Sequence, residues 1–295
     1  MNFHRLTVLM SAYRTKLMSY IKKGFLMRYE MIENKTSGEI MSKDDFIAGL
    51  GKGLSLLEAF GIDRQKLNAT QIAERTGMSR TASRRYLKTL KFSGYLDGDE
   101  HYFWLTHKVL RFSSSYLSSA HLPKIAQPIL NILCAQTSLT FSIVVLDDDE
   151  VVPIARSFLP QQDILRSSPY GMHLGNRLPA HATSTGKVLL AALSLDEQKN
   201  WFNKYQLKRL TPFTLQSEQD FFQVLKQVST TDYCLSKEEH ELGVIAIAVP
   251  IVNTQGQTVA ALNCMSQTHR VSDDYLLNNI LPLLRNTAYE LRSML

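Results

Sequence analysis

The chain has 295 residues, 44% of them hydrophobic, with 33 Lys and Arg against 27 Asp and Glu for a formal charge of +6, a length that suits about two domains of ordinary size. Its three cysteines, Cys134, Cys234 and Cys264, form no CxxC pair and stand at no metal-ligand spacing to histidine, which excludes a disulfide framework and a zinc site. No stretch reaches the ~18 uninterrupted apolar residues of a membrane span, and the run Leu6 to Met10 is too short for a signal-peptide core, so a cytoplasmic protein without a membrane partner is expected.

Residues 1–44 carry 8 basic and 4 acidic side chains, residues 45–120 carry 11 and 7, and residues 121–295 carry 14 and 16. The positive charge is front-loaded, the layout of a polyanion-binding module joined to a domain with another task. Residues 1–44 hold six methionines, scattered bases and no apolar face. They read as a disordered basic leader in which Met27, Met31 or Met41 is an alternative start; the competing reading is an arm that holds DNA phosphates.

Residues 45–106 read as a winged helix-turn-helix. Ile47, Leu50, Leu54 and Leu57 recur at helical spacing and stop near Phe60-Gly61, predicting an amphipathic helix. Asn68 and Gln71 form a capping box for a second, short helix that ends at the turn glycine Gly77. Ser79 caps a third helix over residues 80–92, with Ser83, Tyr86, Leu87 and Leu90 on one face and Arg80, Thr81, Arg84, Arg85, Lys88 and Lys91 on the other. A groove-facing helix must neutralise phosphates, and arginine forks bond guanine edges. Double-stranded DNA is therefore the expected partner, and Arg80, Thr81, Arg84, Arg85 and Lys88 are the expected contacts. Gly94-Tyr95-Leu96, an Asp97-Gly98 turn and residues 101–105 predict a β-hairpin wing. Residues 107–121 read as a linker helix, whose apolar Val109, Leu110, Phe112, Tyr116 and Leu117 must be covered by a second subunit or by the domain that follows.

Residues 122–295 mix helices and strands as an α+β domain. Lys124 to Ala135 predicts a helix, and residues 140–146 and 150–156 predict strands around an Asp147-Asp148-Asp149 hairpin tip. Residues 243–251 and 257–265 predict a second hairpin across Asn253 to Gly256, and Asp273 to Leu295 a closing helix kinked at Pro282. Between these pairs, Pro179 to Lys187 leads small hydroxyl residues and glycine into the apolar helix that starts at Val188. That arrangement suits an anion at a helix N-terminus, although the same residues also serve as a plain helix cap. It is not a nucleotide loop, because His181 stands where the first glycine is required and Val188 follows Lys187. Neither His181 with Ser184 nor Glu238-Glu239-His240-Glu241 has catalytic or metal-binding spacing, so no catalytic residue, metal or cofactor is expected.

The run Ile47 to Leu54, the stretch Ala73 to Arg80, and Leu178 to Thr183 with Gly186-Lys187 together resemble the IclR family of transcription regulators, over about Asp45 to Leu295. Tyr102 to His107, Arg111 to Leu117 and Leu178 to Lys187 are similar to the branch of that family that controls aromatic-acid catabolism. The resemblance implies a homodimer or dimer of dimers that binds operator DNA, engages RNA polymerase as an activator, and carries a GAF-like effector domain over residues 122–295. The implied inducer is a small aromatic acid, p-hydroxybenzoate first and protocatechuate as its competitor. Position by position, the resemblance implies effector contacts at Ser184, Thr185, Gly186, Ser236, Ala246, Asn263 and Met265, with Tyr170, Met172 and Arg156 as further lining. The family's small-acid sensors commonly carry cysteine at Ala246, aspartate at Ser236 and serine at Asn263 and Met265, and the less polar set found here suits a ring. An enzyme with an auxiliary DNA-binding module is the competing reading.

Overall fold

The computed structural model describes residues 31–33, 40–42, 44–61, 64–157 and 174–295. The chain divides into two compact units, one ending at Arg111 and the other starting at Phe112, ahead of the boundary at 122 read from the sequence. Most of the expected leader lies outside the described residues. Within it, β1 (Met31–Glu33) pairs antiparallel with β2 (Ile40–Ser42).

In the first unit, α1 (Ala48–Glu58), α2 (Ala69–Thr76) and α3 (Arg80–Phe92) surround a core of Leu56, Leu67, Ile72, Leu87, Leu96 and Phe103. The local signals for α2 and α3 all hold. The Asn68 carboxamide accepts from the Thr70 and Gln71 amides while Gln71 reaches back, Gly77 adopts a left-handed φ of 69°, and Ser79 caps α3 through the Ala82 amide. Of the apolar stripe of α1, Leu57 packs against the core but the rest does not. Ile47, Leu50 and Leu54 are exposed, and Leu56 is the buried anchor, because periodicity names a face without naming what covers it.

The wing is β3 (Leu96–Gly98) paired with β4 (Phe103–Leu105). Its turn lies at Asp99 to Tyr102 and not at Asp97-Gly98, since the Asp99 carboxylate accepts from the His101 and Tyr102 amides and closes the reversal there. Those two bonds hold the Asp99 carboxyl below the usual carboxylate range. A single 3₁₀ turn (His107–Val109) leads into α4 (Leu110–Ser119), on which Leu110, Phe112 and Tyr116 are exposed.

The second unit is built on a six-stranded, wholly antiparallel sheet of order β7-β6-β5-β10-β9-β8, comprising β5 (Thr140–Asp147), β6 (Glu150–Arg156), β7 (Leu178–Pro179), β8 (Cys234–Lys237), β9 (Val244–Val252) and β10 (Thr258–Gln267). This is the expected α+β class, with helices on both faces. On one face, α5 (His121–Thr137) and α10 (Leu281–Arg292) bury Phe141, Ile143, Ile247, Val249, Leu262 and Cys264. α5 starts three residues before the expected Lys124 because Pro123 fits its first turn, where no amide hydrogen is needed. Before α10, one short turn α9 (Asp273–Tyr275) runs into a π turn (Leu276–Ile280). The wider π turn takes up the amide missing at Pro282, so this break replaces the predicted kink.

The other face carries α6 (Ser184–Ala191), α7 (Leu195–Lys204) and α8 (Glu218–Thr231). Alternation along the strands sends Val144, Ala248 and Ala261 to this side, where Val188, Leu190, Trp201, Phe221 and Leu225 cover them. The acidic hairpin tip is a docking point. Arg177 bonds Asp147 and Glu150, each at 2.5 Å, Trp201 Nε1 donates to the Asp148 carbonyl at 2.8 Å, and the Ala180 amide donates to the Asp149 carbonyl at 2.8 Å. No metal-holding cluster occurs among the described residues.

Gly186 fixes how closely α6 packs on the turn before it, because a Cβ there would stand 2.0 Å from the Ala180 carbonyl oxygen. Backbone on both sides cannot yield. Gly186→Ala is expected to cost about 3 kcal/mol or more, at the upper end for overpacking, whereas Gly53→Ala on α1, with nothing within 4 Å of the added methyl, should be neutral or stabilise by up to ~1 kcal/mol. Thermal melts of the two variants check this, and equal melting temperatures would contradict it.

Candidate DNA-binding face and effector site

Arg80, Thr81, Arg84, Arg85 and Lys88 are all exposed along one side of α3, while Ser83 and Leu87 are buried on the other. No acidic side chain pairs with those four bases among the described residues, so their charge is available to a polyanion. Lys91 differs. It turns back to the wing, bonding the Gly98 carbonyl and standing 3.6 Å from Asp97. The wing tip itself exposes Asp97, Asp99 and Glu100, which repel phosphate. The electrostatics of this unit therefore concentrate anion attraction on the first three turns of α3.

In the second unit the strand registers assemble most of the sequence-predicted effector residues on the α6 side of the sheet. One cross-strand row runs Ser236, Ala246, Met265, Thr140. The next runs Cys234, Ala248, Asn263, Ser142, Arg156. Side chains in adjacent positions of such rows are about 5 Å apart, so Ser236, Ala246, Asn263, Met265 and Arg156 share one surface. A β-bulge between Ile143 and Val144 sets the register that brings Arg156 opposite Ser142. Tyr170 and Met172 lie outside the described residues.

α6 closes this surface. Ser184 and Thr185 are each 2% exposed, and their backbone amides have no hydrogen-bond partner among the described residues. The other two first-turn amides are used: Lys187 donates to the Thr183 carbonyl at 3.1 Å, and Gly186 to the Thr183 hydroxyl at 3.1 Å. Gly186 was expected among the effector contacts, but its N–H is taken and its glycine character is demanded by Ala180. Two buried, unpaired donors at a helix N-terminus therefore remain for an anion.

A residue that sequence reasoning passed over, Glu239, ties helix to sheet. Lys187 is 1% exposed and its ammonium bonds Glu239 Oε1, which also accepts from the Ser236 hydroxyl at 3.0 Å. Ser236 thus spends its proton inside the protein and presents only lone pairs to a ligand. Thr211 and Thr214 hydroxyls hold the Glu238 and Glu239 carbonyls at 2.6 and 2.7 Å. The sequence signal was the lysine itself, since a lysine inside an apolar helix needs a buried acid.

The histidine and cysteines described at this site are not poised for catalysis. His181 Nε2 is engaged with the Lys208 carbonyl at 2.9 Å, and burial, with Lys187 nearby, lowers its affinity for a proton. Burial pushes the Cys234 thiol up to about 11 and raises Cys264 as well, so neither is a ready nucleophile.

The IclR helix-turn-helix domain matches residues 49–100, and the C-terminal domain of bacterial IclR transcriptional regulators matches residues 114–293. The chain belongs to the IclR family. Membership makes it a transcription regulator with a helix-turn-helix, and not an enzyme. The p-hydroxybenzoate hydroxylase transcriptional activator of Acinetobacter baylyi is 71% identical over 266 residues, 90% of this chain and 98% of that protein. The Pca operon regulatory protein of the same organism is 53% identical over 266 residues, 90% and 95% of the two chains. Among solved structures, a double mutant of the PobR inducer-binding domain from Acinetobacter, in complex with 3-hydroxybenzoic acid, is 69% identical with a TM-score of 0.57, covering 60% of this chain and all of that one. An IclR family regulator from Brucella abortus, 24% identical, has the same fold, with a TM-score of 0.72 over 86% of this chain and 94% of that one.

The Lys187–Glu239 pair at the α6 start is buried, so its loss is costly. Breaking a buried pair strands the surviving charge, at about 3–5 kcal/mol. Lys187→Met is expected to lower stability by that order, and adding Glu239→Gln should recover part of the loss. Denaturation of the single and double variants reads this directly; additive losses would contradict it.

Proposed function

We propose that this IclR family protein activates genes of aromatic-acid catabolism in response to a small aromatic carboxylate, p-hydroxybenzoate before protocatechuate. The observation that carries the reading is the 71% identity, across both units, to the p-hydroxybenzoate hydroxylase transcriptional activator, against 53% for the Pca operon regulatory protein. The site chemistry supports it. The effector's carboxylate accepts from the Ser184 and Thr185 amides, and its ring lies on the apolar part of the strand rows at Ala246 and Met265, with Arg156, Tyr170 and Met172 as further lining.

On the DNA side, Arg80, Thr81, Arg84, Arg85 and Lys88 contact the operator. The exposed apolar residues of α1 and α4 suit burial between subunits of a homodimer or dimer of dimers, which matches the paired half-sites that helix-turn-helix proteins read. An effector that binds one arrangement of the dimer better than another shifts the population toward it, and so changes how the two α3 helices and RNA polymerase are presented to each other. No helix of the described residues is long and apolar enough to cross a membrane, which suits a cytoplasmic regulator.

Two experiments test the reading. Replacing Arg84 and Arg85 with Ala should weaken binding to the DNA upstream of the hydroxylase gene at least about tenfold, and flatten the log–log salt dependence by about 2 if both side chains meet phosphates. Unchanged affinity would remove α3 as the reading helix. A transcription reporter should respond to p-hydroxybenzoate and weakly or not at all to protocatechuate, and the reverse preference would move the assignment to the protocatechuate branch.

A further inference from the structure

The wing of the first unit is wider than its hairpin. The Leu67 amide donates to the Phe103 carbonyl at 3.0 Å, and the Phe103 amide donates to the Leu67 carbonyl at 2.9 Å, so the residues just before α2 run antiparallel along β4. Side chains alternate across such a sheet. Leu67, Phe103 and Leu96 point into the core, which sends Lys66, Trp104 and Asp97 to the outer side as one cross-strand row. The Lys66 ammonium stands 4.7 Å from the centre of the Trp104 ring. The far end of that row meets α3. Lys91, which follows Arg84 and Lys88 at helical spacing on the basic face, stands 3.6 Å from Asp97. The basic face of α3 and the outer row of the wing therefore form one continuous surface, with Lys66 at its end.

The bases around the wing differ in what they have left to give. Lys91 bonds the Gly98 carbonyl, and Lys108 donates to the Ser93 carbonyl at 2.6 Å. Lys66 is exposed and has no hydrogen-bond or ion-pair partner among the described residues. The acid whose charge it feels, Asp99, turns its carboxylate to the His101 and Tyr102 amides. An aromatic face steadies an ammonium through its quadrupole without neutralising the charge or using up the N–H donors. What results is a positioned, unneutralised base on the side that α3 presents to DNA, a residue type that serves as a backbone contact. We propose that Lys66, steadied by Trp104, contacts a DNA phosphate beside the stretch read by α3. It supplies at the wing the attraction that the acidic tip of Asp97, Asp99 and Glu100 denies to the hairpin turn. The inference rests on the DNA reading above and adds to it a contact off the reading helix.

The test is a salt titration of DNA binding by the full-length protein and its Lys66→Gln variant, on the DNA upstream of the hydroxylase gene and on a scrambled duplex of equal length. Lys66→Gln should flatten the log–log salt dependence by about 0.9 for each chain bound, and weaken binding about fivefold or more at low salt. The loss should be the same on both duplexes, because a phosphate contact carries no sequence information. Lys66→Arg keeps the charge and stacks on the indole, and should bind as wild type does. Trp104→Leu should weaken the wild-type chain at least about twofold and cost nothing further once Lys66 is replaced by Gln, whereas a purely structural tryptophan would cost the same in both backgrounds. Lys66→Gln carries the test by itself if the leucine variant does not fold. An unchanged salt slope in Lys66→Gln, or a loss confined to the upstream DNA, overturns the assignment of Lys66 while leaving α3 as the reading helix. Unchanged binding after replacement of Arg84 and Arg85 would remove the DNA reading on which both stand.

Discussion

The buried bond between Lys187 and Glu239 joins the start of α6 to the turn between β8 and β9, and the geometry of the candidate effector site depends on it. Lys187 follows directly on the turn whose Ser184 and Thr185 amides stay unpaired, and Glu239 also takes the proton of Ser236, which begins the first cross-strand row. One ion pair thus sets helix, loop and strand against one another. Gly186 makes the same junction possible from the other side, since no residue with a side chain could sit so close to Ala180. The charges of the pair cancel, so what faces a ligand at this end is the field of the helix N-terminus and its two donors.

This division of labour suits a sensor. The two unpaired α6 amides offer a small acid direction as well as charge. The rows that face them mix small apolar side chains with small polar ones. The same fold separates this chemistry from DNA reading: the bases of α3 are exposed and unneutralised, while Lys91, the base nearest the wing, is spent on the Gly98 carbonyl and Asp97. The exposed apolar residues of α1 and α4 form a surface available for burial.

What could be read from the sequence follows the range of the interactions involved. The caps at Asn68 and Ser79, the left-handed Gly77 and the two faces of α3 are local, and each stands in the structure as the spacing predicts. The wing's turn moved to Asp99 because two side-chain-to-amide bonds outweigh the Asp97-Gly98 preference, and most of the α1 stripe proved exposed because a periodic pattern carries no information about its cover. The candidate effector surface is half legible in the sequence. The α6 start announces itself in Ser184-Thr185-Gly186, but the rows that face it require β5, some 120 residues earlier, to register against β10, and a bulge to bring Arg156 to Ser142. Glu239 was dismissed for lacking metal-site spacing, when its partner was a lysine on another element.

The central claim is that the effector lies between the α6 start and the strand rows, carboxylate on the Ser184 and Thr185 amides. A crystal structure of the full chain with p-hydroxybenzoate tests it most directly. The account predicts both carboxylate oxygens on that side, with at least one within about 3.2 Å of each of the two amide nitrogens, and the ring over Ala246 and Met265. A carboxylate held elsewhere, with the two amides still unpaired or bonded to water, would contradict it.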